Sequence, residues 1–300
     1  MASLTILKEF TLSALSDLPA LQFPLFLFFL VIYLLTLIWN LLIIVLIVTN
    51  SHLHVPMYFF LGNLASLDLC CSSVTVPRML FDLLTRKRKI TVTECLTQDF
   101  FFILFATSEC FLLAVMSYDR YTAVCQPLHY IKIMSWKVCV QLVSLVLCLT
   151  FTYSLIHICY ASKLTFCASD IIGSFFCDLP QLFKISCSDL LGGFLTSGSL
   201  ILTFLPYIYI LKAVLKMNDK RSKVFSTCSS HLTVVLMYYG SVFFNYFQPN
   251  AIYHYTGDKW VAVYYTAILP LLNPLIYSLR NQDFKTAFGK FLRKIMPNGK

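Results

Sequence analysis

Four polar side chains stand in stretches of the chain that are otherwise almost entirely apolar. Asp68 and Glu109 are acids, and Asn40 and Asn273 are amides. A charged side chain in hydrocarbon costs several kcal/mol unless it is paired or hydrated, so each is a candidate for function. If both acids face each other, they need a cation such as sodium or a shared proton. Separate hydrogen bonds between helices are the alternative, and spacing alone leaves both interpretations open.

A second distinctive pair is Asp119-Arg120, in the stretch MSYDRYTAVCQPLHY (116–130). It follows the run from Phe100 to Tyr118, whose only charged residue is Glu109. Such a pair can simply anchor the end of a helix at the polar interface. The chain contains no G-x-S-x-G elbow, H-E-x-x-H, P-loop or G-x-G-x-x-G motif, so no catalytic constellation competes with it. The sequence therefore predicts that the protein is not an enzyme.

The composition places these residues in a membrane. The chain has 300 residues, of which 58% are hydrophobic and 12% are charged, whereas about 25% are charged in a soluble domain. About 20 apolar residues cross the hydrocarbon layer. Five stretches lack charges altogether, and two more spans appear if one buried acid is allowed in each, Asp68 and Glu109. The prediction is an all-α membrane protein, one domain of residues 1–300, with seven spans at approximately 23–48, 57–81, 95–123, 137–160, 190–215, 223–248 and 259–280.

Basic residues orient the predicted bundle. The tail from Arg280 holds six basic residues and one acid, whereas the first 22 residues hold one basic residue, Lys8. Because basic residues concentrate on the cytoplasmic side, residues 1–22 are predicted to be extracellular and residues 281–300 cytoplasmic. The short basic loop 86–89 opposes this assignment, since it would lie outside.

The tail itself carries a helical pattern. Phe284, Phe288 and Leu292 recur at i, i+4 and i+8, with most of the basic residues elsewhere. This pattern predicts a short amphipathic helix on the inner leaflet after the seventh span. A disordered basic tail is the alternative.

Four of the 12 cysteines, Cys95, Cys167, Cys177 and Cys187, fall on the side predicted to be external. On the oxidising side of a membrane they favour disulfides, and four cysteines allow three pairings. Zinc coordination is the competing interpretation, and the absence of any C-x-x-C pair opposes it.

Five motifs, in order along nearly the whole chain, carry a family resemblance. They are PMYFFLGNLASLDLC (56–70), MSYDRYTAVCQPLHY (116–130), FFCDLPQLFKISCSD (175–189), SKVFSTCSSHL (222–232) and PLLNPLIYSLRN (270–281). The chain resembles a mammalian-type odorant (olfactory) receptor of the rhodopsin-like, class A, G-protein-coupled receptor family. The resemblance implies a plasma-membrane receptor that binds a small volatile molecule and activates a stimulatory heterotrimeric G protein, which raises cyclic AMP. Its partners are that ligand, the G protein and the lipid bilayer, with no nucleic acid.

The resemblance also assigns roles to residues of the switch. Arg120, in the Asp119-Arg120-Tyr121 motif, resembles the arginine that its neighbouring acid holds at rest and that turns toward the G protein on activation. Tyr207 and Tyr277 resemble the tyrosines that reposition with it.

The same resemblance assigns an ion site and two disulfides. Asp68 and Glu109, with Asn40 and Asn273, match the family's sodium-binding region, so a sodium ion is the one cofactor it implies. It pairs the external cysteines as Cys95–Cys177 and Cys167–Cys187.

The ligand pocket of this family lies in the outer half of the bundle, under the long loop predicted to be external, about residues 162–189. The matching positions are Phe102, Ile103, Ala106 and Thr107 on the third helix, Tyr239, Val242, Phe243 and Tyr246 on the sixth, and Val263 and Thr266 on the seventh. The four positions on the third helix share one face at helical spacing. Such a lining is mostly apolar with a few hydroxyls, and it suits a small neutral molecule.

The chain departs from the family pattern at several positions. Residue 39 is Trp where the family usually has Gly, Leu147 replaces a common Trp, and Pro206 replaces the usual Ser before Tyr207. No N-x-Ser/Thr glycosylation site is present, which puts efficient surface delivery in question.

Two other functions compete with this interpretation. One is a receptor of the same fold for an endogenous ligand in a non-olfactory tissue. The other is a membrane transporter, which the missing internal repeat opposes.

Overall fold

The structure is a computed structural model and describes residues 9–16, 18–85, 87–166, 169–186, 212, 233–241, 255–280 and 282–295. These residues are mostly helical. The helices are α1 (Pro19–Thr49), α2 (Pro56–Thr85), α3 (Val92–Cys125), α4 (Tyr130–Ile133), α5 (Trp136–Ala161), α6 (Leu179–Ile185), α7 (233–241), α8 (Tyr255–Val263), α9 (Leu269–Arg280) and α10 (Gln282–Ile295). A 3-10 turn, Ser51–Leu53, precedes α2, and a π-helical turn, Tyr264–Ile268, joins α8 to α9.

Four helices, α1, α2, α3 and α5, are long and apolar enough to cross a membrane. They correspond to the predicted spans 23–48, 57–81, 95–123 and 137–160, and each runs slightly past its predicted bounds. The predicted span 259–280 lies within the continuous helical segment α8 to α9. Residues 190–215, apart from 212, and most of 223–248 lie outside the described residues.

Local sequence signals set where these helices begin. Pro19 and Pro56 occupy the first turns of α1 and α2, where proline lacks only an amide that would be unpaired anyway. At the start of α3, the Glu94 amide donates to the Thr91 hydroxyl at 3.2 Å, and the Thr91 amide donates to the Glu94 carboxylate at 3.0 Å. This capping box fixes the N-terminal end of α3.

A three-stranded sheet joins distant parts of the chain at this same end. Strand β1 (Glu9–Leu12) pairs antiparallel with β2 (Lys89–Thr91) and parallel with β3 (Ile171–Ile172), so the strand order is β2-β1-β3. The Lys89 ammonium lies 3.4 Å from the Glu9 carboxylate. The sheet was not predicted, because strands of two to four residues are too short to show an alternating pattern.

The helices pack in a layered order: α3 lies against both α2 and α5, and α1 lies against α2 and α9. Large apolar side chains remain exposed along the outer face of α1, including Phe23, Phe28 and Val48. An exposed apolar surface of this extent fits contact with lipid.

The departures at residues 39 and 147 have structural explanations. The Trp39 ring packs 6.1 Å from the Phe288 ring of α10, and Phe284 of α10 is buried, so the tail helix is attached to the bundle through its apolar face. Leu147 is 44% exposed, and its position therefore faces away from the protein core. Position 206 lies outside the described residues, and the lipid contact of α10 remains a prediction.

Candidate functional site

The four polar residues of the predicted membrane core come together at the contact of α1, α2, α3 and α9. All four are buried. The Asn273 amide donates to Asp68 Oδ1 at 3.0 Å, which ties α9 to α2. The Asn40 amide donates to the Thr36 and Pro270 carbonyls, each at 3.0 Å, which ties α1 to α9.

Glu109 of α3 completes this polar core. Its carboxyl group receives a hydrogen bond from the Cys71 thiol and lies close enough to Asp68 for their charges to interact. Three buried oxygen atoms have no hydrogen-bond partner among the described residues: Glu109 Oε1, Asn40 Oδ1 and Asn273 Oδ1. Carboxylate and amide oxygens are the ligands that hard cations prefer, so these residues fit a sodium ion.

A second site lies at the predicted cytoplasmic end of α3. Asp119 is buried, its Oδ2 lies 3.4 Å from Arg120 Nη2, and its Oδ1 accepts a hydrogen bond of 2.8 Å from the Tyr130 hydroxyl. Burial, reinforced by the Asp119 charge, raises the pKa of the Tyr130 hydroxyl, so this group stays protonated and remains a donor. Tyr121 is half-buried and its ring stacks 6.5 Å from that of Tyr118.

The local chain path creates this contact. Helix α3 ends where the Gln126 amide donates to the Thr122 carbonyl, and the turn at Pro127 leads into α4, whose first residue is Tyr130. Two other parts of the predicted switch, Tyr207 and the Tyr277 side chain, lie outside the described part of the chain.

The predicted pocket residues of α3 divide between two hydrophobic clusters. Phe102 shares one with Val263 of α8 and with Phe175 and Phe176 of the long loop. Ile103 belongs to another, with Ala161, Leu164 and Leu179. The long loop therefore covers α3 from both sides.

Several polar groups of the predicted pocket already have partners within the protein. The Thr107 hydroxyl donates to the Ile103 carbonyl and the Thr266 hydroxyl to the Ala262 carbonyl. What these two hydroxyls can still offer a ligand is their oxygen lone pairs.

Tyrosines of α7 bind the middle of α3. The Tyr238 hydroxyl donates to the Ala106 carbonyl at 2.7 Å, and the Tyr239 hydroxyl donates to the Cys110 carbonyl at 3.4 Å. Of the predicted pocket positions on the sixth span, Tyr239 is therefore buried against α3. Val242, Phe243 and Tyr246 lie outside the described residues.

One of the two predicted disulfides is confirmed. Cys95, in the first turns of α3, is bonded to Cys177 of the long loop. The Cys177 amide also donates to the Gln98 side chain at 3.1 Å. Cys167 and Cys187 lie outside the described residues, so that pairing remains a prediction.

The third span contains more buried acidic residues than predicted. Only Glu109 was expected to be buried there, but Asp99 and Asp119 are buried as well. The sequence does hold a signal for Asp99, because it lies one helical turn after Cys95 and one turn before Phe102, on the same helical face.

Three further polar residues were not predicted. Asp178 is buried directly after Cys177, and Lys259 and His157 are buried on α8 and α5. The Lys259 ammonium donates to the Ala14 carbonyl at 2.7 Å, which holds the N-terminal segment on the bundle.

Four membrane-length helices around a buried polar core indicate a multi-pass helical membrane protein. The chain belongs to the olfactory receptor family, whose profile matches residues 29–294. It is 44% identical to olfactory receptor 5AR1 of Mus musculus and 42% identical to that of Homo sapiens, with 97% of each chain covered. It is 43% identical to olfactory receptor 5B21 of Homo sapiens over 99% of each chain. Proteins of this family are multi-pass plasma-membrane receptors with a seven-helix bundle, and they are not enzymes.

Proposed function

We propose that this protein binds small, mostly apolar volatile molecules in the outer half of its helix bundle and activates a stimulatory heterotrimeric G protein, which raises cyclic AMP. The observation that carries the proposal is the pairing of Asp119 with Arg120 and Tyr130 at one end of α3, in a chain of the olfactory receptor family. That family membership opposes the transporter interpretation. An endogenous ligand in a non-olfactory tissue would act through the same site.

The ligand would lie between α3, α7 and α8 beneath the long loop. Phe102 and Val263 are buried there in one apolar cluster, and Tyr239 is buried against α3. Ile103 packs in a separate cluster with Ala161, Leu164 and Leu179. Val242, Phe243 and Tyr246 would complete the lining. Burial contributes about 25 cal/mol per Å² of apolar surface. For a small volatile molecule this yields an affinity on the order of micromolar or weaker.

The switch would be the release of Arg120 from Asp119. At rest, the carboxylate holds the arginine, and the Tyr130 hydroxyl holds the carboxylate. Agonist and G protein would both favour the conformer in which Arg120 is free, so their binding is mutually reinforcing. Tyr207 and Tyr277 would move with it.

Exposed apolar residues beside the switch support a docking role for this end. Leu128 is 94% exposed and Ile131 is 85% exposed in the turn and short helix after α3. Two such residues next to the paired charge fit a surface that a protein partner covers.

A sodium ion would be held in the polar core by Asp68 and Glu109, with oxygen atoms of Asn40 and Asn273. When bound, the ion supplies the positive charge that two neighbouring buried carboxylates require. Asn273 already positions Asp68 through its hydrogen bond, and Cys71 positions Glu109.

The orientation would place the N-terminus outside and the C-terminus in the cytoplasm. The disulfide Cys95–Cys177 supports this orientation, because structural disulfides form on the oxidising side of the membrane. The switch at the opposite end of α3 then faces the cytoplasm.

The test is a screen of volatile alcohols, aldehydes, ketones, esters and amines in cells that report cyclic AMP. We expect the receptor to respond to some of them and Arg120→Ala to abolish the response, because the variant loses the group that meets the G protein. Surface amounts measured by antibody labelling should match those of the wild type. The control is Lys137→Ala, which removes an exposed basic residue near the same end, in the first turn of α5, and should respond normally. Normal signalling by Arg120→Ala would contradict the assigned role.

A further inference from the structure

A buried acidic pair lies beneath the long loop, away from the polar core and the switch. Asp99 belongs to α3, and Asp178 follows Cys177 in the loop. Both side chains are buried, and their carboxyl groups lie close enough for the charges to interact. The disulfide between Cys95 and Cys177 joins the two segments that carry them, so the acids are held near each other covalently.

Among the described residues, no positively charged group pairs with Asp99. The Leu179 amide approaches its carboxyl group, but neither oxygen makes a hydrogen bond of normal geometry with the residues that the structure describes. Asp178 is positioned differently, because its Oδ2 accepts a hydrogen bond of 3.0 Å from the Tyr265 hydroxyl. Burying a carboxylate without a positive partner destabilises the folded protein. A positively charged group next to Asp99 would remove this cost.

An aromatic cluster adjoins the acidic pair, since the Tyr265 hydroxyl that contacts Asp178 belongs to it. Asp99 precedes Phe102 by three residues, which places both on one face of α3. The Phe102 ring centroid lies 5.0 Å from that of Phe176 and 5.8 Å from that of Tyr265, and the last two are 6.2 Å apart. Aromatic faces attract alkylammonium groups and also accommodate hydrocarbon.

We propose that the ligand carries a protonated amine, whose ammonium group pairs with Asp99 beneath the loop while its hydrocarbon part lies among Phe102, Phe176 and Tyr265. This inference rests on the proposed receptor function and narrows its ligands from neutral volatiles to small amines. The ammonium group donates up to three hydrogen bonds, and the oxygens of Asp99 and the neighbouring Asp178 are the acceptors.

An inorganic cation fits this place less well. Calcium takes six to eight oxygen ligands, whereas here the two carboxylates are flanked by rings. An ammonium ion with an apolar tail matches both the acids and the rings.

The test measures binding to purified full-length receptor by its thermal unfolding. The probes are cyclohexylamine and 3-methylbutylamine, compared with cyclohexanol and 3-methylbutan-1-ol, and with sodium and calcium chloride alone. We expect the amines to bind at least about 10-fold more tightly than the alcohols of the same shape, the difference that one charged hydrogen bond supports. Asp99→Asn should remove that preference, whereas Asp82→Asn, which alters an acid paired with Arg78 on α2, should retain it.

Equal binding of amines and alcohols, a stabilisation by the inorganic cations that Asp99→Asn removes, or an undiminished amine preference in Asp99→Asn would each overturn the proposal. If Asp99→Asn does not fold, Asp178→Asn serves as the second variant and should weaken amine binding. The cyclic AMP assay separates this proposal from the receptor function. Amine binding without cyclic AMP would support the amine site and contradict G-protein signalling. A cyclic AMP response to neutral volatiles that persists in Asp99→Asn, without any response to amines, would support signalling and overturn the amine site.

Discussion

The Tyr130 hydroxyl restrains the buried Asp119 carboxylate, and through it Arg120. A hydrogen bond to a charged group contributes about 1.5–3 kcal/mol. Tyr130→Phe removes this donor and keeps the ring, so it should weaken the resting arrangement. We expect ligand-independent cyclic AMP to rise several-fold at equal surface amounts, measured in receptor-expressing cells.

Tyr118→Phe is the matched control for this prediction. Tyr118 lies one residue before Asp119 and is 48% exposed, so the loss of its hydroxyl should leave the basal signal unchanged. An unchanged basal signal in Tyr130→Phe would show that its hydrogen bond does not restrain the switch.

Single residues were predictable from the sequence when their type conflicted with their surroundings. Asp68 and Glu109 stood out as acids inside apolar runs, and the structure brings them together. Asp99 was missed because it lies just before the apolar run that begins at Phe100. An acid at that place is typical of an exposed helix end. Tyr130 was missed because only the turn into α4 brings it back to Asp119.

At the scale of the elements, the polar core holds pairs of helices together. Asp68 ties α2 to α9 through Asn273, and Glu109 on α3 faces the same acid. If sodium occupies this core, it stabilises the contact of three helices. We expect sodium chloride to raise the unfolding temperature of the purified receptor relative to choline chloride, and Asp68→Asn to abolish this difference, because the neutral amide removes one of two carboxylate ligands.

Asp82→Asn is the control for the sodium effect, since Asp82 lies on the same helix and pairs with Arg78 instead. It should retain the full difference between the two salts. The sodium site would be rejected if wild-type receptor unfolded at the same temperature in both salts, or if Asp68→Asn kept the shift.

Secondary-structure elements were predictable in proportion to their length. The four spans seen in full follow from apolar runs of about 20 residues, and Pro56 marked the start of α2 correctly. The sheet escaped prediction because β1 pairs with segments about 80 and 160 residues further along the chain, and its strands are too short for a periodic signal. The π-helical turn before α9 has no sequence signal either.

At the scale of the whole molecule, the disulfide holds the long loop over the end of the bundle where α3 begins. Cys95 and Cys177 are 82 residues apart in sequence, and they share a buried cluster with Phe10 of β1, Ile172 of β3 and Leu182 of α6. The bond therefore holds the N-terminal segment, the loop and α3 as one unit. Closing a chain segment of this length contributes about 4 kcal/mol, a large part of the total of about 5–15 kcal/mol typical of folded proteins.

Cys95→Ser should accordingly lower the amount of receptor at the cell surface several-fold, because a loss of that size exposes the protein to intracellular degradation. The measurement is antibody labelling of an N-terminal epitope tag on intact cells, which also requires the N-terminus to be extracellular. Cys148→Ser is the control, since Cys148 is a free and exposed cysteine of α5, and its variant should label like wild type. Normal labelling of Cys95→Ser would show that the bond is dispensable for delivery, whereas labelling of the wild type only after permeabilisation would reverse the proposed orientation.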